Sequence, residues 1–175
     1  MPDATTRRWP ALDLAELLAL GERLGAAAKG GEVLLLSGPM GAGKTTLVRA
    51  LARGLAVDRP ERVCSPTFNI CVEHPGPHPL VHVDLCRLGE LGDFDRDVDA
   101  SAAAFEALGM DELADRLARR DAKELLAVEW SELWRDAPDD ALVVRIAHVH
   151  DDADHRALEL VATGPRARAW LDAVV

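Results

Sequence analysis

Residues 38 to 45 read Gly-Pro-Met-Gly-Ala-Gly-Lys-Thr, the complete G-x-x-x-x-G-K-[ST] pattern. An apolar run, Val33-Leu34-Leu35-Leu36, precedes it. A stretch with Leu47, Val48, Leu51 and Leu55 at helical spacing follows it. Strand, glycine loop and helix in that order define a phosphate-binding loop in an α/β fold. Glycines let backbone N–H groups converge on phosphate oxygens at a helix N-terminus, where the helix dipole also favours negative charge. The spacing therefore marks Gly38, Gly41, Ala42, Gly43, Lys44 and Thr45 as the candidate phosphate cradle. Lys44 is expected to reach the β- and γ-phosphates, and the Thr45 hydroxyl to ligate magnesium. The pattern implies a nucleoside triphosphate but leaves its use open.

A chain of 175 residues that is 49% apolar can bury one proper core, so a single domain over 1–175 is expected. No apolar run reaches the length of a membrane span, and residues 1–8 lack the profile of a signal peptide. The three cysteines, Cys64, Cys71 and Cys86, form no C-x-x-C pair and read as reduced thiols in a cytoplasmic protein. Twenty basic against thirty acidic residues give a net charge of −10, which disfavours stand-alone binding of nucleic acid. Aromatic residues make up only 4%, with no tyrosine, so stacking platforms for bases are scarce as well. An acidic surface suits solubility or docking to a basic protein.

Asp13 can cap a helix running to about Lys29, ended by Gly30-Gly31. Glu32 to Ser37 is the strand entering the loop, and Lys44 to Ala56 the helix leaving it. Thr67 to Glu73 and Leu80 to Leu85 have strand character, with the proline-rich turn His74 to Pro79 between them. Gly89 to Ser101 reads as an acidic loop or loose helix. Ala102 to Leu108 and Asp111 to Arg120 read as helices broken by Gly109. Leu125 to Val128 is a buried strand that delivers Glu129. Leu142 to Val149 and Arg156 to Ala162 form a second hairpin, and Pro165 to Val175 a closing helix. Two hairpins interrupt the β–α alternation, which predicts a mixed, partly antiparallel sheet flanked by helices.

Nucleotide hydrolysis needs more than a cradle: magnesium must be held and a water positioned. Carboxylates at the C-terminal ends of strands are the usual supply, because ligands bind outside those ends. Asp84 and Glu129 both sit there, and either can partner Thr45 at magnesium. Ser65-Pro66-Thr67 lies where a switch loop can carry hydroxyls, although a plain turn fits it too. Trp130 can stack on a base, present a partner surface or pack in the core. Arg87 and Arg156 can bring positive charge to phosphate or remain solvated. The run His148 to His155 contains metal-ligating residue types, but it falls where a hairpin turn is expected.

Taken together, these motifs resemble the TsaE (YjeE) family, the bacterial ATPases of tRNA threonylcarbamoyladenosine biosynthesis. The likeness covers most of the chain in order. It runs through Leu20-Gly21-Glu22-Arg23-Leu24, the loop from Leu36 to Thr46, and Val63-Cys64-Ser65-Pro66-Thr67-Phe68. It continues through His82-Val83-Asp84-Leu85-Cys86-Arg87-Leu88, Leu108-Gly109-Met110-Asp111-Glu112-Leu113 and Val128-Glu129-Trp130.

The resemblance implies that Lys44 and Thr45 bind phosphate and magnesium, that Glu129 holds magnesium, and that Asp84 is an essential acidic residue near the γ-phosphate. It places Ser65 and Thr67 on a switch-like loop and Trp130 beside the nucleotide, so Asp84, Lys44 and Thr67 are the catalytic candidates. It further implies a weak ATPase, with ATP and Mg²⁺ as cofactors. Its partners would be TsaD and TsaB, in the modification of position 37 of tRNAs reading ANN codons, with tRNA met only through that complex. Departures from the family pattern are Cys86 in place of Tyr, Ser131 in place of Pro, Leu17 where Thr is frequent, and a longer, more acidic stretch from Glu90 to Phe105. The second function compatible with the loop is a small metabolite kinase, for which Arg116, Arg119 and Arg120 are candidate lid residues.

Overall fold

A computed structural model describes residues 5–67, 69–87, 109–119 and 121–174. The expected loop from Gly89 to Ser101, the helix from Ala102 to Leu108 and the acidic stretch from Glu90 to Phe105 lie outside the described residues. The chain order is β1 (Thr5–Leu12), α1 (Leu14–Ala27), β2 (Val33–Ser37), α2 (Lys44–Gly54), β3 (Cys71–His74), β4 (Leu80–Asp84), α3 (Met110–Ala118), β5 (Leu125–Glu129), β6 (Leu142–Val149), β7 (Asp152–Ala162) and α4 (Pro165–Asp172). Among the described residues these strands form one seven-stranded sheet, in the order β1-β7-β6-β2-β5-β4-β3.

The sheet is mixed, as the sequence predicts. The strands β6, β2, β5 and β4 run parallel through the centre. The β3–β4 and β6–β7 hairpins and the β1–β7 pair add antiparallel flanks. The strands β2 and β5 read as apolar runs up to their last residue because both faces of the sheet are covered there, whereas β4 carries His82 and β6 carries the exposed Arg145. Leu34, Leu36, Leu80, Leu125, Ala127, Leu142 and Val144 pack on one side with Leu20, Leu24, Leu47 and Leu51 of α1 and α2. Val33, Leu35, Val81, Val83, Leu126 and Val128 pack on the other with Leu117 and Trp134.

Local chemistry fixes the ends of the elements. Asp13 and Glu16 form a reciprocal capping box at α1, with bonds of 2.8 and 2.9 Å. The Glu32 carboxylate accepts the Lys29 and Gly30 N–H groups, which closes the turn before β2. Asp140 accepts the Arg166 and Ala167 N–H groups at the start of α4, a cap supplied from a different loop.

Three strands depart from the sequence expectation, among them β7, which begins at Asp152 rather than Arg156. Thr5 to Leu12 is a strand, and its Pro10 and paired arginines hide it from pattern reading. Its place at the sheet edge explains the proline: an edge strand has one side free of ladder bonds, and the register shifts between Trp9 and Leu12. The first hairpin strand is also shorter than the expected Thr67 to Glu73. Ile70, at φ +61°, ends the preceding loop, and the ladder begins at Cys71.

Candidate functional site

The phosphate-binding loop leaves β2 at its C-terminal end and enters α2. Gly38, Gly41 and Gly43 adopt φ values of +138°, +74° and +111°, a region costly for residues with a Cβ. Gly43 occupies the N-cap of α2 without any side-chain cap, so the first N–H groups of the helix face the mouth of the loop. The loop is braced from outside by the β6–β7 hairpin. The Arg156 Nε donates to the Ala42 carbonyl at 3.1 Å, and the His148 Nε2 donates to the Met40 carbonyl at 3.3 Å.

Parallel pairing puts the carboxylates beside this loop. Asp84 and Glu129 are register partners at the ends of β4 and β5, and each is only 2% exposed. Thr45 Oγ1, in the first turn of α2, donates to Glu129 Oε2 at 2.9 Å. Asp84 Oδ2 accepts hydrogen bonds from Ser65 Oγ and Thr67 Oγ1, and its Oδ1 accepts the Cys86 N–H at 2.9 Å. The two hydroxyls also lie 2.6 Å apart. The Lys44 ammonium donates to the Gly38 and Pro39 carbonyls and rests 3.9 Å from the centre of the Trp130 ring.

These side chains line one cavity of about 330 Å³, which brings together Gly41, Gly43, Lys44, Thr45, Thr46, Ser65, Thr67, Asp84, Glu129 and Trp130. A second cavity of about 260 Å³ adjoins it across the loop and shares Gly41, Gly43 and Thr46. Its remaining walls include Asp13, Leu14, Leu17, Ala42, Asp154 and Arg156. Trp130 therefore stands at the carboxylate end of the loop, and Leu17 at the opposite end. The oxygen donors of Thr45, Glu129 and Asp84 are of the hard type that magnesium takes, and the glycine loop has the open backbone that phosphate requires.

The remaining candidates do not line the first cavity. Arg156 directs its guanidinium to the Ala42, Ala153 and His155 carbonyls. Arg87 is exposed and is not part of the cavity wall. Arg116 bonds Glu73 at 3.0 Å and pairs with Glu124, and Arg119 pairs with Asp121, on a surface lined by Cys71 and Glu73 rather than by the loop. Arg120 lies outside the described residues. The His148 to His155 run forms the tip of the β6–β7 hairpin, with Asp151 at φ +59° and His155 paired to Asp152 at 2.8 Å. Among the described residues no three His, Cys, Asp or Glu side chains converge there or elsewhere as a metal group.

One residue of the site carries no functional assignment from the sequence reading. His82 is fully buried, and its Nε2 lies 2.8 Å from Glu129 Oε1. A titratable residue in the otherwise apolar run Leu80 to Val83 was the available sign. The His74 ring stands 6.2 Å from it, and burial, together with His82, pushes His74 below its ordinary value.

A family model described as "Threonylcarbamoyl adenosine biosynthesis protein TsaE" matches residues 12–158. The chain belongs to the TsaE family. A TsaE relative from Streptomyces coelicolor, named tRNA threonylcarbamoyladenosine biosynthesis protein TsaE, is 36% identical over 165 residues, covering 89% of this chain and 95% of the relative. A relative of the same name from Bacillus subtilis is 32% identical over 161 residues, covering 91% and 87%. The crystal structure of YdiB from Bacillus subtilis superposes with a TM-score of 0.71 at 26% identity, over 99% of this chain and 97% of that one. The matched range includes the loop, the Ser65 segment and both carboxylates.

Proposed function

We propose that this chain is the ATP-hydrolysing subunit of the machinery that makes threonylcarbamoyladenosine at position 37 of tRNAs reading ANN codons. Hydrolysis would support repeated turnover of a TsaB–TsaD complex in the cytoplasm. The observation that carries the reading is the Thr45–Glu129 contact beside buried Asp84, at the mouth of a glycine loop. The names of the TsaE relatives give the pathway.

In this reading Lys44 turns its ammonium from the loop carbonyls to phosphate, and the uncapped N–H groups of α2 bind phosphate oxygens. Bound magnesium supplies charge neutralisation at those oxygens. Thr45 and Glu129 are the side chains that hold it. Asp84 orients the attacking water, and Ser65 and Thr67 follow Asp84 as the loop reorganises. The adjoining cavity at Leu14, Leu17 and Arg156 takes the nucleoside. The acidic net charge of −10 fits a subunit that leaves tRNA to its partners.

Of the lid candidates for the metabolite-kinase alternative, Arg116 and Arg119 are paired on another surface and Arg120 lies outside the described residues. The test is reconstitution of tRNA modification over many turnovers with purified TsaB and TsaD. The chain is expected to sustain turnover, and Lys44→Ala to abolish it. Equal turnover with and without the chain would refute the reading.

A further inference from the structure

We propose that His82 is a positioning residue for the metal-binding carboxylate: its Nε2–H holds Glu129 Oε1, so that Oε2 faces Thr45. The inference rests on the magnesium role proposed for Glu129 and adds a residue to it.

The fold builds this contact. Leu80, His82 and Asp84 share one face of β4, and Leu125, Ala127 and Glu129 the same face of β5. The register partner of His82 is Ala127, whose methyl leaves room for the imidazole to lean two residues along β5 to Glu129. A carboxylate oxygen only accepts, so a neutral ring must carry its proton on Nε2. The Nδ1 then holds a lone pair, and among the described residues it has no hydrogen-bond partner. A ring tied at one nitrogen only, at 0% exposure, is directed wholly at Glu129.

Glu129 is correspondingly divided: Oε1 is held by His82 and Oε2 by Thr45. Without the imidazole the carboxyl group can rotate about its last bond and lose its orientation at the loop. Partners of this kind outside the ligand set typically govern metal affinity by about 10–100-fold.

The experiment titrates Mn²⁺ into the protein with ADP by electron paramagnetic resonance, and ADP into the protein in EDTA by calorimetry. The His82→Gln and His82→Asn variants are compared with the native chain, with melting curves as a fold control. Gln carries an amide N–H at nearly the reach of Nε2, and Asn falls short of it. Expected is Mn²⁺ affinity within about threefold of native for His82→Gln and reduced about 10–100-fold for His82→Asn, with ADP affinity in EDTA unchanged in both. Equal Mn²⁺ affinities for the two variants would overturn the positioning role. So would a loss of ADP affinity in EDTA that matches the Mn²⁺ loss, since that marks a general structural effect. A native chain that binds ADP with no response to Mn²⁺ instead removes the magnesium site itself, and the positioning role with it.

Discussion

The Lys44 ammonium lies 3.9 Å from the centre of the Trp130 indole, and Trp130 reaches that place with a backbone φ of +60°. A bulky residue in the left-handed region is strained, and the strain aims the ring at the loop. Lys44 is only 5% exposed, so the cation–π contact acts where water screens it little. With the ring face still under Lys44 when the ammonium meets phosphate, Trp130→Leu is expected to weaken nucleotide binding by about 1–2 kcal/mol, roughly 5- to 30-fold, and Trp130→Phe by distinctly less. Calorimetric titration with ADP distinguishes them. Equal losses would mean that the ring face is not what matters.

Asp84 gathers Ser65, Thr67 and the Cys86 N–H on one buried carboxylate. Asp84→Asn keeps most of these contacts and removes the charge. Nucleotide affinity should stay within a few-fold of native while ATP hydrolysis falls about a hundredfold or more. Asp84→Ala should also lower stability by about 1–3 kcal/mol, because two hydroxyls and one amide lose their acceptor. Phosphate-release assays and denaturant melts separate the two effects.

The packing of α1 on α2 depends on missing side chains. A Cβ at Gly25 would meet the Leu51 carbonyl oxygen and the Leu55 nitrogen, and one at Gly54 the Glu22 carbonyl oxygen. Both obstacles are backbone and cannot rotate aside. Gly25→Ala should therefore destabilise the fold by about 1–3 kcal/mol or more, despite the better helix propensity of alanine. Chemical denaturation measures it, and a gain in stability would contradict the close approach.

Contact with the Asp152 carboxylate raises His155 above its ordinary 6.5, and contact with His155 lowers Asp152 below its ordinary 3.8. The His155 contribution to the hairpin is complete below pH 6.5 and disappears as pH climbs through the raised value. The Asp152 contribution is complete above pH 3.8 and disappears as pH falls through the lowered value. The pair is thus strongest between these limits. Both side chains are 39% exposed, so salt should weaken it. NMR titration of His155 should give a value above 6.5 that returns towards the ordinary one in Asp152→Asn.

The glycine loop, both strand-end carboxylates and the mixed sheet were legible because each is written in local chemistry. Glycine spacing, apolar runs and a carboxylate closing each run survive reading in one dimension. The edge strand Thr5 to Leu12 was not legible, because its Pro10 breaks the pattern and its partner β7 lies some 150 residues on in the chain. In the sequence His82 stands out only as part of a motif. Its link to Glu129 depends on the parallel register of β4 with β5 and on the small size of Ala127, which no spacing along the chain reveals. The separation of Trp130 from Leu17 likewise follows from the two cavities on either side of the loop.

The grip of the β6–β7 hairpin on the Met40 and Ala42 carbonyls has a kinetic consequence. A loop held this way loses its conformational freedom when the chain folds rather than when a ligand arrives. Encounter, not a slow ordering of the glycines, should then set how fast the site fills. Cutting the grip at Arg156 would appear first as a slower association rate.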